Sequence, residues 1–320
     1  MRFNLLCLAL LAAACSPPPA RTPEGRPLPA PVPRLPIGIE AVSLLGDTLR
    51  AIELDYDTRV AYDVRLAEAV RAVQAAPHDP DAIIWLGRRT AYLGRFREAI
   101  AVLSRGAEQF PEDARFLRHR GHRYITVREF ARAIADLDRA AQLTAGDPDQ
   151  VEPDGLPNAR GVPASSLQSN IWYHLGLARY LGGDFTGAAS AWSAGLRGAP
   201  TVDMTVATTY WLVLAQRRAG REAEARALLE AIRPQMDIVE NTTYHRLLLH
   251  FAGAPFTADD PASTLDRATL GYGLGAWALL NGDTGTARTS FERVRAGGNW
   301  PAFGYIAAEA ELARLDPRRP

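Results

Sequence analysis

Three histidines and a run of arginines are the residues of this chain with the most chemical reach. His119 and His122 stand three apart, and Arg115, Arg118 and Arg123 surround them, with His174 further on. Three converging imidazoles are a donor set for Zn²⁺. Fixed guanidinium charge in the same place works against a cation, and no HExxH, no metal-spaced carboxylate pair and no neighbouring cysteine completes such a site. His245 and His250 are five apart and share a helical face poorly. For nucleophilic catalysis the sequence offers Ser165 and Ser166, without a GxSxG turn around them or a visible basic partner. Gly271-Tyr272-Gly273-Leu274-Gly275 has the spacing of GxGxG but no strand before it, so close helix packing explains it better. A hydrolase or metal-dependent enzyme is therefore the second reading. The first is recognition of an anion, and no cofactor is implied.

The charge inventory agrees with that order. The 36 basic and 36 acidic residues cancel, which gives no global pull toward nucleic acid. Every basic residue is arginine, most simply a bias of genome composition. Each is nonetheless a planar fork suited to carboxylate or phosphate.

What must position these groups is a repeat. With an offset of 34 residues, Gly87 falls on Gly121, Phe96 on Phe130, Ala99 on Ala133, Ile100 on Ile134 and Leu103 on Leu137. Each copy between Asp81 and Asp147 reads as a helix ending near Gly94 or Arg128 and a second beginning at Phe96 or Phe130. Small residues mark the helix crossing and the aromatic the closed end of the hairpin. Leu86, Gly87, Leu93, Gly94, Phe96, Ala99 and Pro111 stand at the spacing of the tetratricopeptide repeat, which the chain resembles over about residues 80–315. A third copy (Trp172, Leu175, Gly176, Phe185, Ala188, Pro200) follows an insert at 146–166. A weaker fourth (Leu212, Gly220, Ala225, Pro234) lacks the crossing glycine and the aromatic. A short apolar helix at Asn241 to Phe251, a fifth copy (Leu274, Gly275, Gly282, Asp283, Ala287, Phe291) and a last helix from Trp300 to Leu315 complete the array. The resemblance implies an all-α, right-handed superhelical solenoid of hairpins with capping helices, and no β-sheet is expected. The segment 37–79 reads as an N-terminal helical cap, with Val60, Val64, Leu66, Ala67, Val70 and Val73 as its packing face.

In tetratricopeptide arrays the first helix of each hairpin lines a concave groove, and the resemblance implies that partners bind there. Helical spacing then puts Ile84, Trp85, Arg88, Arg89 and Tyr92 on the groove from the first copy, and Arg115, Arg118, His119, His122 and Arg123 from the second. The third contributes Tyr173, His174 and Leu177, the fourth Tyr210, Trp211 and Leu214. His174 occupies the position equivalent to His119. The expected partner of an Arg and aromatic trough is a protein or acidic peptide segment, with an acidic saccharide as the variant. The plain alternative is solvated arginines and core aromatics. Glu152, Asp154, Asn158 and Arg160 in the insert read either as a polar lid or as surface loop.

The N-terminus reads as an export signal at 1–14: Arg2, an apolar run from Leu5 to Leu11, and Ala12-Ala13-Ala14 before Cys15. This resembles the bacterial lipobox, although Leu11 stands four before the cysteine where that pattern has leucine three before. The resemblance implies lipidation at Cys15 and a membrane link through that anchor; ordinary signal cleavage is the other reading. Residues 15–36 are dense in proline and read as a tether. Together these suggest a cell-envelope protein, outer membrane by the Ser16 that follows the cysteine. With Cys7 removed and Cys15 acylated, the mature domain would hold no free thiol.

Overall fold

The computed structural model describes residues 35–158, 160–256 and 263–316. The expectations for 1–34, including Cys15 and most of the proline-rich tether, lie outside the described residues.

The described chain opens with two short strands, β1 (Ile39–Val42) and β2 (Thr48–Arg50), paired antiparallel. The expectation of no sheet is thus corrected: Gly46, at φ 101°, allows a tight turn that lets Ala41 and Leu49 face the core. Helix α1 (Tyr56–Ala75) follows, with Asp55 capping its first turn. Its packing face is also rotated from expectation. Tyr62, Leu66, Ala69 and Val73 turn inward, while Val60, Val64, Ala67 and Val70 face solvent. Spacing of three and four joins both sets, and only the partner helix decides which stripe is covered.

The repeats then appear where the sequence puts them. The hairpins are α2 (Pro80–Tyr92) with α3 (Phe96–Gln109), α4 (Ala114–Thr126) with α5 (Phe130–Leu143), α6 (Leu167–Leu181) with α7 (Phe185–Arg197), and α8 (Val202–Arg218) with α9 (Glu222–Glu230). A single helix α10 (Thr242–Phe251), a fifth hairpin of α11 (Thr264–Leu280) and α12 (Thr284–Ala296), and α13 (Phe303–Arg314) complete the order. Helix starts carry Asp79, Asp113, Ser166, Asp184, Thr201, Ser263 and Asp283, each accepting a hydrogen bond from a first-turn amide. The crossings are as close as small residues permit. A Cβ on Gly87 would stand 2.8 Å from Leu103, on Gly121 2.7 Å from Leu137, on Gly176 2.4 Å from Trp192 and on Gly275 2.7 Å from Phe291. In the fourth copy Val213 occupies the corresponding place, twelve before Ala225. Its second helix, α9, is also the shortest of the set.

The turn inside each hairpin needs a left-handed residue. Gly94, Gly183, Gly220 and Gly282 supply it at φ between 74° and 92°. In the second copy Arg128 adopts φ 66°, the only non-glycine at positive φ among the described residues. Its side chain is buried on Glu309 of α13 (Nη2 to Oε2 2.7 Å) and also donates to the carbonyl of Trp300 at 3.1 Å. Leu44, in the β1–β2 turn, donates its amide to the same Glu309 carboxylate. The Trp300 indole donates to the carbonyl of Arg50 at 2.7 Å. The last helix is therefore more than a cap: it joins the first elements to the second hairpin. Glu311, about half a turn further, meets Arg218 and Arg314, and Arg314 donates to the carbonyls closing α6. No described helix is long and apolar enough to cross a membrane.

Candidate functional site

The first helices of the hairpins do not present one open groove. Tyr210 and Trp211 of α8 are fully enclosed, and Tyr173 and His174 of α6 are buried. Tyr244 of α10 packs tilted against Tyr210 and Phe251 stacks on it, while Trp192 and Tyr272 stack on Trp211. The expectation that the third and fourth copies display these rings to a partner is therefore corrected: α10 and α11 fold back over α8, and burial of large aromatic area drives that packing. The Trp211 indole finds a partner inside, donating to the Tyr173 hydroxyl at 2.9 Å. Leu177 and Leu214 are core as well.

The first two hairpins do keep a cleft. Arg88, Tyr92, Arg118, His119, His122 and Arg123 line a space of about 120 Å³ together with Glu152 from the insert. The residues converge because α2 and α4 are equivalent helices of neighbouring hairpins. The guanidiniums of Arg88 and Arg89 both lie over the Trp85 ring, at 4.2 and 4.6 Å from its centre. Arg118 is buried, its Nε 2.7 Å from Glu152 Oε2. Arg123 lies over Phe96 and keeps surface toward the cleft. Among the described residues no carboxylate pairs with Arg88 or Arg123, which leaves three guanidiniums against one carboxylate. Desolvation and the like charges of Arg118 and Arg88 push Arg123 down to about 9, still cationic at neutral pH. Arg115 differs from its neighbours. It binds Asp113 and Asp81 and is neutralised there, so it supplies no free charge.

The histidines pack within the same cluster. His122 and His174 have ring centres 4.3 Å apart, and Phe303 of α13 closes on both. Arg118 donates to His119 Nδ1 at 3.2 Å, which sets the His119 proton on Nε2. The Nδ1–H of His174 donates to the carbonyl of Asn170 at 2.6 Å. Burial first, and then the neighbouring arginines, hold all three far below the ordinary histidine range. They are neutral polar walls. The same arginines occupy the field a metal ion would need, and no group of three His, Cys, Asp or Glu set to hold a metal stands among the described residues. The serines of the insert have structural partners: Ser166 caps α6 in a box with Ser169, and Ser165 accepts from Asn170 at 2.8 Å.

Of the insert residues that the sequence offers as a polar lid or surface loop, Glu152 alone lines this cleft. Residues Gln150 to Glu152 run against Ser165 to Leu167, with Val151 and Ser166 forming an isolated antiparallel bridge. Glu152 then points down to Arg118, and Arg89 donates to the carbonyl of Gly155 at 3.0 Å. Asn158 and Arg160 reach away instead, to Glu240 and Asp237. The sequence offers all four insert residues alike, and nothing in their spacing singles out Glu152 as the partner of Arg118.

No family model matches the sequence, and no curated protein matches it. Among solved structures the chain is similar to YrrB, described as a TPR protein with an unusual peptide-binding site, at 11% identity over 76% of this chain and 97% of that one, TM-score 0.40. It is also similar to BtubC (BKLC) from P. vanneervenii, at 13% identity over 75% and 89% of the two chains, TM-score 0.44. A tetratricopeptide repeat protein from Parabacteroides merdae gives 12% identity over 80% and 95%, TM-score 0.44.

Proposed function

We propose that this chain is a non-catalytic protein-interaction module that takes an acidic segment of a partner protein in the cleft between its first two hairpins. The observation that carries this reading is the charge imbalance: Arg88, Arg118 and Arg123 face one space that holds only the Glu152 carboxylate. Like charges gathered in a poorly hydrated place repel, and an anion entering there relieves the repulsion and meets forks shaped for carboxylate. Trp85 holds the Arg88 guanidinium and, with Tyr92, that of Arg89, so these two side chains lose little freedom on binding. The partner surface is narrower than the four-hairpin stripe expected from sequence. It comprises Trp85, Arg88, Arg89, Tyr92, Arg118, His119, His122 and Arg123.

The test uses a fluorescein-labelled tetraglutamate peptide and anisotropy. Binding is expected to weaken steeply with salt, because screening shortens to about 3 Å at 1 M. Arg123→Gln and Arg88→Gln should each lower affinity by about tenfold or more, the scale of one charged hydrogen bond, with melting temperature nearly unchanged. Salt-insensitive binding that survives both substitutions overturns the reading.

We also propose, on the sequence of the first 36 residues, that Cys15 carries lipid and that the proline-rich segment holds the domain away from a membrane of the cell envelope. Cys15→Ser should move the protein from the membrane to the soluble fraction, or leave it uncleaved. Wild-type protein found entirely in the soluble fraction would be incompatible with the anchor.

A further inference from the structure

The insert supplies its own carboxylate to the cleft, and the form of that contact has a consequence. Arg118 and Glu152 are both largely buried and 2.7 Å apart, yet neither Arg118 Nε nor Glu152 Oε2 has an aligned hydrogen-bond partner. The pair has the distance of an ion pair without the directional bonds that usually compensate two desolvated charges. A carboxylate free to orient itself would satisfy the Arg118 fork better than Glu152 does.

The segment that carries Glu152 is tethered at both ends and lies over the cleft between them. One side is fixed at the start of α6, where Asp149 accepts the Gln168 amide at 2.9 Å and the Ser166 hydroxyl. The other side is fixed through Asn158 onto Glu240. Residues 150–152 are paired by backbone with Ser165 to Leu167, and beyond that pairing Pro153, Asp154 and Leu156 are exposed, with Glu152 to Arg118 and Gly155 to Arg89 as the contacts that hold the stretch to the first two hairpins. Gly155 sits hard against the first hairpin: a Cβ there would stand 1.9 Å from the Tyr92 hydroxyl and 3.0 Å from Arg88 Nη2. Its lack of a side chain is what allows the closed position.

We infer that residues 150–156 form an autoinhibitory strap whose Glu152 is an internal competitor for the acidic ligand, so that binding exchanges Glu152 for the partner's carboxylate and lifts the strap. This rests on the anionic reading of the cleft and adds its regulation. In the closed state the three arginines and Glu152 together carry a net charge of about two, and release of Glu152 raises it by one. The ligand thus competes with a tethered carboxylate at high local concentration, which lowers apparent affinity by the fraction of closed strap.

The experiment compares the tetraglutamate peptide on wild type, Glu152→Gln and Gly155→Ala. Glu152→Gln removes the competitor, while Gly155→Ala leaves every charge in place and props the strap off Tyr92. Both are expected to bind at least about tenfold tighter than wild type. Hydrogen exchange of the wild type should show the amides of 150–156 losing protection when peptide is added, beginning with Glu152, whose N–H donates to the Ser165 carbonyl. Equal affinity in all three proteins, with binding still lost in Arg123→Gln, overturns the strap and leaves the cleft reading standing. Absence of binding in all three overturns both. Since Gly155→Ala changes no ionisable group, a folding defect in Glu152→Gln does not remove the test.

Discussion

His119, His122 and His174 show how strongly a residue's surroundings override its type. Isolated histidines titrate near neutrality and would lend a pH-dependent rate or a metal site. Here burial and the adjoining arginines keep the neutral form in the folded chain to well below the usual range. The unfolded chain regains an ordinary value, about 6.5, so between that pH and the lower folded values unfolding takes up protons. The stability these residues contribute is fully present above about pH 6.5 and is lost as pH falls below it. The expected slope is up to about 1.4 kcal/mol per pH unit for each histidine. Urea midpoints measured at pH 7.5, 6.5 and 5.5 should fall in that order, and His122→Gln should flatten the dependence. A midpoint constant over that range would contradict the burial of the three rings.

At the scale of helices, the crossing glycines carry the hairpin geometry, and they are not equivalent. Opposite Gly121 stands the Cγ of Leu137, a smaller side chain held by packing alone and at the longer distance; opposite Gly176 stands the indole of Trp192, locked by a hydrogen bond to the Tyr173 carbonyl at 3.0 Å. Overpacking costs about 1–3 kcal/mol where neighbours must shift. Gly176→Ala is therefore expected at or above the top of that range and Gly121→Ala near the bottom, read as denaturation midpoints. The reverse order would mean that the third crossing is looser than its contacts indicate. Gly146 is a useful control, because it has open space around it and its φ of 88° alone penalises a side chain.

For the molecule as a whole, closure matters more than repetition. An open solenoid loosens from its ends, since each repeat touches only its neighbours. In this chain Glu309 gathers the Leu44 amide and Arg128, and so ties the first strands, the second hairpin and the last helix at one buried carboxylate. Arg128 holds a left-handed backbone that costs about 1 kcal/mol or more for a non-glycine residue, and the ion pair offsets it. Arg128→Gly removes that strain but strands a buried carboxylate, which costs about 3–5 kcal/mol. A net loss of about 2 kcal/mol or more is expected. The same substitution should raise hydrogen exchange in β1 and β2, although β2 ends 78 residues before Arg128 in sequence. A stabilised Arg128→Gly, or exchange confined to the second hairpin, would show that the closure carries no stability.

The helical hairpins, their 34-residue period and their crossing glycines were legible in the sequence, because local periodicity and the steric need for a small residue at a close crossing are written in adjacent residues. So was the cationic stripe of Arg88, Arg118 and Arg123, which follows from two copies placing the same helical face side by side. What the sequence left open was which faces are covered. Val60 and Val64 face solvent while Tyr210 and Trp211 are enclosed, although all four lie on apolar stripes, since coverage depends on helices such as α10 and α13 that arrive from far along the chain. The pairing of Glu152 with Arg118 and of Glu309 with Arg128 is of the same kind. One carboxylate carries no positional signal along the chain, and only tertiary packing, by excluding water from a particular place, selects the acid that neutralises each buried arginine.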